Sequence, residues 1–261
     1  MDPIETIFQF NVSLSLSLVK MKYIPENTSK NTHNVVAALL LTNPNHKRVL
    51  DIPSGAGAFT QRLLSKGIEV HSGDIDNFME VENPNFRQGN MNERLPYEDG
   101  FFDAVVCIDG IEHLERPFDF IEECSRITHK GGAIIISTPN INSLRSRWRW
   151  LWTSHHNKCK VPLNENHPTP LHHINMMAYQ RLRYILHTRN FEITEVTTNR
   201  VKAISWLYFL FVPFAYLATT FVYGKEEKDP VQRKVNEQIK KHLFSKALLF
   251  GETMIIKAVR K

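Results

Sequence analysis

Asp51, Gly55, Gly57 and Asp74 have the types and spacing of a nucleoside site. Val49-Leu50-Asp51-Ile52-Pro53-Ser54-Gly55-Ala56-Gly57-Ala58-Phe59 reads as a buried strand ending in an acid, a glycine-containing turn, and a helix starting near Ala58. Ile68-Glu69-Val70-His71-Ser72-Gly73-Asp74 is a second apolar run that also ends in an acid. Strand, glycine turn, helix, strand, acid is the layout of a parallel βαβ unit that binds a nucleoside. Gly55 and Gly57 lack a Cβ, so the backbone can turn sharply and lie against a ligand. The carboxylate of Asp74 can accept two hydrogen bonds from ribose hydroxyls.

Two nucleoside cofactors suit such a unit. A dinucleotide site requires G-x-G-x-x-G/A, with the pyrophosphate on the helix N-terminus. Here Thr60 takes the third small position, and Asp51 ends the strand four residues before Gly55. A carboxylate there repels a pyrophosphate and suits the cationic amino-acid end of S-adenosylmethionine (SAM), directly or through water.

Residues 48–140 resemble the core of a class I SAM-dependent methyltransferase. The blocks that carry the likeness are Val49–Gly57, Gly73–Asp76, Leu95–Asp103, Val105–Leu114, Arg126–Gly132 and Ser137-Thr138-Pro139-Asn140. The chain departs from that family at Pro53, usually glycine, and at Asn90, usually aspartate. The resemblance implies an α/β fold: a Rossmann-like seven-stranded sheet, its last strand antiparallel between the fifth and sixth, with helices on both faces. It implies Asp51, Ser54, Gly55 and Gly57 around the amino-acid end of SAM, and Asp74 with Ile75 at the ribose. Asn90 and Met91 fall at the adenine, and Asp109 at the tip of the fourth strand.

Methyl transfer from a sulfonium asks for an aligned nucleophile, little water and often a base. His113, in Gly110-Ile111-Glu112-His113-Leu114 just after strand four, is the candidate base. The competing reading is that His113 and Glu112 orient the loop or a cofactor-bound water. An amino methyltransferase of nucleic-acid bases usually shows Asn/Asp-Pro-Pro-aromatic after strand four; this chain has Cys107-Ile108-Asp109-Gly110. His155, His156, Cys159, His167, His172 and His173 match no standard zinc spacing, so no metal site is expected. His172, His173 and Trp148 are the candidate acceptor-binding residues.

The elements that must position these groups follow from periodicity. An amphipathic helix is expected from Thr28 to about Thr42. Strands are expected at 48–52, 69–74, 84–88, Phe102–Ile108, Ala133–Ser137, Phe191–Thr197 and Thr253–Val259. Helices are expected at 58–66, Pro117–Thr128 and Asn175–Arg189, with Lys130-Gly131-Gly132 as the stop of the second. The organisation reads as an N-terminal extension over 1–27 and a methyltransferase domain over 28–261. Within it lie a core at 48–140, an acceptor lid at 141–175 and an apolar insertion at 203–224.

Composition suits one globular domain: 261 residues, 42% hydrophobic, net charge +5. Cys107 and Cys124 fall in a strand and a helix and read as small core residues of a reducing compartment. Met1-Asp2-Pro3-Ile4-Glu5 is acidic where a signal peptide is basic. Asn11–Leu18 alternates like a strand, and Met21 offers a second translation start.

Arg145-Ser146-Arg147-Trp148-Arg149-Trp150-Leu151-Trp152 admits nucleic-acid stacking, an interfacial membrane helix or a substrate lid. Lid and interface together are favoured because Ala203–Gly224 carries no charged residue. It is long enough for one crossing, but it lies between two strands of one sheet, which a crossing would separate. It must be a monotopic hairpin bent at Pro213, a wall over the acceptor pocket, or a dimer interface. Flanking aromatics favour lipid contact. The acceptor is then a small or lipid-linked molecule (a lipid-linked sugar, a quinone or another lipid), and the enzyme is cytoplasmic, at the inner face of a membrane. Pro139–Arg147 and Leu171–Asn175 also look like bacterial surface-glycan methyltransferases. An RNA methyltransferase and a non-catalytic SAM-binding scaffold are the alternatives; oligomeric state is not legible.

Overall fold

The computed structural model describes residues 23–159, 162–226 and 228–261. The strand-like alternation at 11–18, the signal-peptide question and the start at Met21 lie outside the described residues. The strands are β1 (Arg48–Asp51), β2 (Glu69–Asp74), β3 (Phe86–Gln88), β4 (Phe102–Ile108), β5 (Thr128–Pro139), β6 (Phe191–Thr198) and β7 (Thr253–Arg260). They form one sheet in the order β3-β2-β1-β4-β5-β7-β6. β1 to β5 pair in parallel, and β7 runs antiparallel between β5 and β6. This is the topology that the sequence led us to expect.

The helices are α1 (Thr32–Leu41), α2 (Ala58–Leu64), α3 (Pro117–Ile127), α4 (Leu144–Thr153), α5 (Tyr179–Thr188), α6 (Val212–Glu226), α7 (Pro230–Leu243) and α8 (Lys246–Phe250). Side chains alternate across a strand, and the central strands use both faces. Leu50, Val105 and Ile134 join one core cluster with Phe120 and Ile121 of α3 and Leu182 and Ile185 of α5. Their neighbours Val49, Val106 and Ile135 join the other, with Val36 and Leu40 of α1 and Phe59 and Leu63 of α2. Near-continuous apolar runs therefore mark strands covered on both sides. Cys107 and Cys124 are free and buried in the first cluster.

Several expected boundaries move. α1 starts at Thr32 rather than Thr28, and α5 at Tyr179 rather than Asn175. β3 is only three residues long. The larger change is at Lys130-Gly131-Gly132, which does not stop a helix. α3 ends at Ile127, and Thr128 is already extended at φ −91° and ψ 134°. Phe102 pairs with Thr128 and Ala104 with Ala133, so the residues between them on β5 bulge out of the ladder. Gly131 has φ +82°, and a Cβ on Gly132 would lie 2.8 Å from the Asp103 carbonyl oxygen. The glycines serve this bulge.

Two blocks of the family pattern brace the sheet. Asp103 Oδ2 accepts from the backbone N–H groups of Lys47 and Arg48 at the start of β1. Arg126 ties down the 95–99 loop, donating to the Leu95 and Tyr97 carbonyls and to Asp99 and Glu123. At the other end of the sheet Pro53 sits against Gly110. A Cβ on Gly110 would lie 2.4 Å from Pro53 Cδ and 3.0 Å from Cys107 Sγ. Gly110→Ala is therefore expected to destabilise the fold by about 1–3 kcal/mol, as overpacking does, read as a lowered melting temperature.

The apolar insertion is not a hairpin. Ala203–Phe211 is a 3₁₀ segment that runs directly into α6. Pro213 falls where the 3₁₀ segment gives way to α6, and the chain stays helical through it, so it marks that change of helix type and not the bend of a hairpin. Ser205, near the start of the segment, lines a cavity together with Lys202 just before it. Leu207, Leu210, Phe214, Leu217 and Phe221 face solvent.

Candidate active site

β1, β2 and β4 lie side by side, so their carboxyl ends bring Asp51, Asp74 and Asp109 to one edge of the sheet. Asp51 is almost fully buried, and its Oδ2 accepts from Thr60 Oγ1 at 2.7 Å; that hydroxyl is also 2.8 Å from Ser72 Oγ. Burial, with a smaller push from the Asp74 charge, raises the Asp51 carboxyl to about 7 against the opposing Thr60 bond. The acid expected to line the cleft lies beneath the turn instead. Thr60, which spoils the dinucleotide pattern, is the residue that holds it.

Asp74 caps the glycine turn. Its Oδ2 accepts from Gly55 N–H at 2.8 Å and its Oδ1 from Ile75 N–H at 2.7 Å. A carboxylate has about four lone-pair positions, so two remain for hydroxyl donors. Burial raises its pKa above the ordinary value, against these backbone donors. Gly55 has φ +52° and open space where a Cβ would project. Ser54 Oγ, in the same turn, is buried and has no partner among the described residues. The loop after β2 folds back over the turn, with Glu80 N–H bonded to the Ala56 carbonyl at 3.1 Å. Met79 Cε lies 2.9 Å from where a Cβ on Gly57 would be. A flexible thioether covers that part of the cleft, so a ligand lying on Gly57 must displace it.

Asn90 faces its own loop: Nδ2 donates to Glu93 Oε1 and Oδ1 accepts from Asn92 N–H. Its oxygen keeps one lone pair for a ligand amine. Met91 packs against the core beneath that loop.

A cavity of about 330 Å³ opens beyond the tip of β4, lined by Thr28, Asp109, Glu112, His113, Lys158 and His173 among others. Asp109 sits at φ +46°, a conformation that Asp tolerates better than most residues. Its carboxylate is fixed by Thr28 Oγ1 at 2.6 Å and Ser137 Oγ at 2.7 Å. His113 Nδ1 lies 3.0 Å from the His172 carbonyl oxygen. A carbonyl can only accept, so Nδ1 carries the proton and Nε2 is the basic nitrogen. The His113 and His173 rings meet edge to face at 4.7 Å. Burial lowers both imidazoles below 6.5, His173 further through its proximity to His113 and Lys158, so both are neutral at pH 7.

Glu112 is fully buried, and neither carboxylate oxygen has a hydrogen-bond partner among the described residues. Burial, then the Asp109 charge, push it up to about 8, so it is protonated at neutral pH. Glu112, His113 and His173 bring one ligand atom each within 4.8 Å of one another. Oxygen and imidazole donors this close also suit a divalent cation. Spacing rules miss the set because His173 lies in a distant loop.

The structure thus gathers Asp109, His113 and His173, but not the other acceptor candidates. His172 contributes its carbonyl to the site. Trp148 lies elsewhere, its ring tilted 5.0 Å from Phe211 and edge to face 5.6 Å from Trp152. Thr28, Lys158 and Met79 carried no sequence signal for the site.

A family model described as a methyltransferase domain matches residues 26–196. This chain belongs to that methyltransferase family. The methyltransferase is 31% identical over 107 residues to a ubiquinone biosynthesis O-methyltransferase of Alkalilimnicola ehrlichii, covering 37% of this chain and 43% of that protein. It is 31% identical over 111 residues to the protein of the same description from Dechloromonas aromatica, covering 37% and 46%. The matched region spans less than half of these curated relatives. Among solved structures, a SAM-dependent methyltransferase from Thermotoga maritima aligns at TM-score 0.56 and 18% identity, covering 88% of each chain. One from Archaeoglobus fulgidus aligns at TM-score 0.52 and 24% identity, covering 88% of this chain and 95% of that one. These structures share the fold. The methyltransferase uses SAM, and the site suits it: an unpartnered Ser54 hydroxyl, an open Gly55 face and Asp74 with two lone pairs to spare.

Proposed function

We propose that this methyltransferase methylates a hydroxyl of a membrane-associated small molecule, such as a lipid-linked glycan, a quinone or another lipid. The observation that carries this is the conjunction of a neutral His113–His173 pocket at the tip of β4 with an exposed apolar ridge on the same domain. In this reading Ser54, Gly55 and Gly57 serve the amino-acid end of SAM, with Asp51 acting through its charge from beneath the turn, Asp74 with Ile75 serves the ribose, and Asn90 with Met91 the adenine. Asp109 orders the floor between the cofactor and the acceptor.

When bound, SAM supplies an activated methyl group on a sulfonium. His113 Nε2 is placed to take the proton of an acceptor hydroxyl in the pocket, and bound SAM would supply the methyl group that replaces it. The His172 carbonyl fixes the tautomer that leaves Nε2 basic. Protonated Glu112 keeps negative charge from accumulating next to Asp109. His173 walls the acceptor side.

Ala203–Gly224 is long and apolar enough to cross a membrane, and almost none of it is buried. β6 before it and β7 after it pair in one sheet, so both ends stay on one side of a bilayer. We therefore place it along the membrane surface, with the protein cytoplasmic at the inner face. Trp148 lies against Phe211 and Tyr208, and Trp150, Leu151 and Trp152 are also exposed. The tryptophans extend the ridge instead of forming a stacking platform among arginines, which favours lipid over RNA. Leu210→Glu with Leu217→Glu is expected to weaken flotation with phosphatidylcholine vesicles on the order of 10²-fold and leave SAM affinity unchanged. Undiminished flotation would refute the placement. A radiolabelled methyl donor offered with membrane lipid extracts tests the acceptor class: label in the organic phase supports it, and label only in aqueous products opposes it.

A further inference from the structure

A second cavity, of about 200 Å³, lies beside the acceptor pocket and shares one wall residue with it, Lys158. Its other basic walls are Arg145 and Arg149 of α4 and Lys202 at the start of the apolar segment. At its floor Glu252 is largely buried and meets Arg200 Nε at 2.6 Å, Lys202 Nζ at 2.8 Å and Lys158 Nζ at 3.2 Å. Burial alone would raise this carboxyl; the Lys202, Arg200 and Lys158 partners hold it down at about 2. One carboxylate thus faces three cations. Arg145 and Arg149 add two more, and among the described residues neither has a carboxylate within 4.0 Å. They stand at i and i+4 on one helix face, where like charges repel. A cavity this rich in cations is complementary to an anion with several acceptor oxygens, and guanidinium forks match phosphate geometry.

We propose that this cavity binds the phosphate or diphosphate group of the methyl acceptor. The inference rests on the reading that the acceptor is membrane-associated, and it adds that the acceptor is phosphorylated. Three placements support it. Lys158 joins the two cavities, donating to Ser29 Oγ at the rim of the acceptor pocket while it pairs with Glu252. α4 carries Arg145 and Arg149 into the anion cavity, and its Trp148 packs on Phe211 of the ridge. Lys202 precedes Ala203, where the apolar segment begins. A phosphate held here lies at the depth of lipid headgroups when the ridge rests on a membrane. Its apolar tail then follows the ridge, and its hydroxyl-bearing part reaches His113.

The test compares the full-length protein with its R145Q/R149Q variant. Both are titrated with vesicles of phosphatidylcholine alone, or with one-fifth phosphatidic acid or phosphatidylserine, and separately with soluble pyrophosphate. SAM affinity reports that the variant is folded. We expect phosphatidic acid to tighten vesicle binding by about tenfold or more over phosphatidylserine. The variant should lose that gain and keep its binding to phosphatidylcholine. Pyrophosphate binding without vesicle binding, again lost in the variant, would uphold the phosphate site and overturn the membrane reading, making the source a soluble phosphorylated acceptor. A gain equal for both anionic lipids, a gain retained in R145Q/R149Q, or no phosphate response with vesicle binding intact would overturn the phosphate site.

Discussion

His113→Ala should slow methyl transfer by about 10²- to 10⁴-fold, the usual contribution of a positioned general base, with SAM affinity unchanged. The ring lines the acceptor pocket, not the glycine turn, so the cofactor has no reason to sense its loss. His113→Asn separates the two roles considered for this residue. An asparagine amide can still donate to the His172 carbonyl but cannot accept a proton at neutral pH. If His113 only fixes the loop, His113→Asn restores turnover; if it is the base, the variant stays as slow as His113→Ala. The pH profile adds a sign. Burial lowers the imidazole below 6.5, so the base form prevails at pH 7 and turnover falls only on the acid side. His113→Ala should abolish that limb. Wild-type turnover in either variant would remove His113 from the chemistry.

Asp74→Ala should weaken SAM binding by about 10²- to 10⁴-fold. Hydrogen bonds to a charged group contribute about 1.5–3 kcal/mol each, and the ribose hydroxyls offer two. The substitution also strands the N–H groups of Gly55 and Ile75 that the carboxylate now accepts, so the turn loosens. Asp74→Asn is the sharper variant. Its amide keeps one acceptor oxygen and turns a donor toward a backbone donor, so its affinity should fall between the two. Calorimetry measures both, with the melting temperature reporting the fold. An Asp74→Ala affinity within about threefold of wild type, under 0.7 kcal/mol, would move the ribose elsewhere.

The sheet and its carboxyl edge were legible because they rest on local signals. Val49–Asp51, Val70–Asp74 and Phe102–Ile108 are short runs bounded by turns, each with at least one β-branched residue, and the positions of Asp51, Asp74 and Asp109 follow from strand ends. What the sequence hid depends on tertiary placement. That Asp51 turns inward to Thr60 follows from side-chain packing across β1 and α2. The unpartnered burial of Glu112 appears only once the loop carrying His172 and His173 closes over β4. Gly131-Gly132 has the composition of a helix stop, and only the β4–β5 register shows it to be a bulge. The basic cavity joins Arg145, Lys158, Lys202 and Glu252 from four separate segments, beyond the reach of any spacing rule.

Asp51 offers a direct readout of the cofactor. With its carboxyl raised to about 7 in the cofactor-free fold, its contribution to stability is full below the ordinary value near 3.9 and is lost as pH rises through 7. A cationic ligand above the turn favours the ionised form and expels the proton. SAM titrated into the protein at pH 7, in two buffers of different ionisation enthalpy, should bind at micromolar concentration and release a fraction of a proton, and Asp74→Ala should suppress the binding. No heat of binding, proton uptake instead of release, or equal affinity in Asp74→Ala would contradict a SAM site built on this turn.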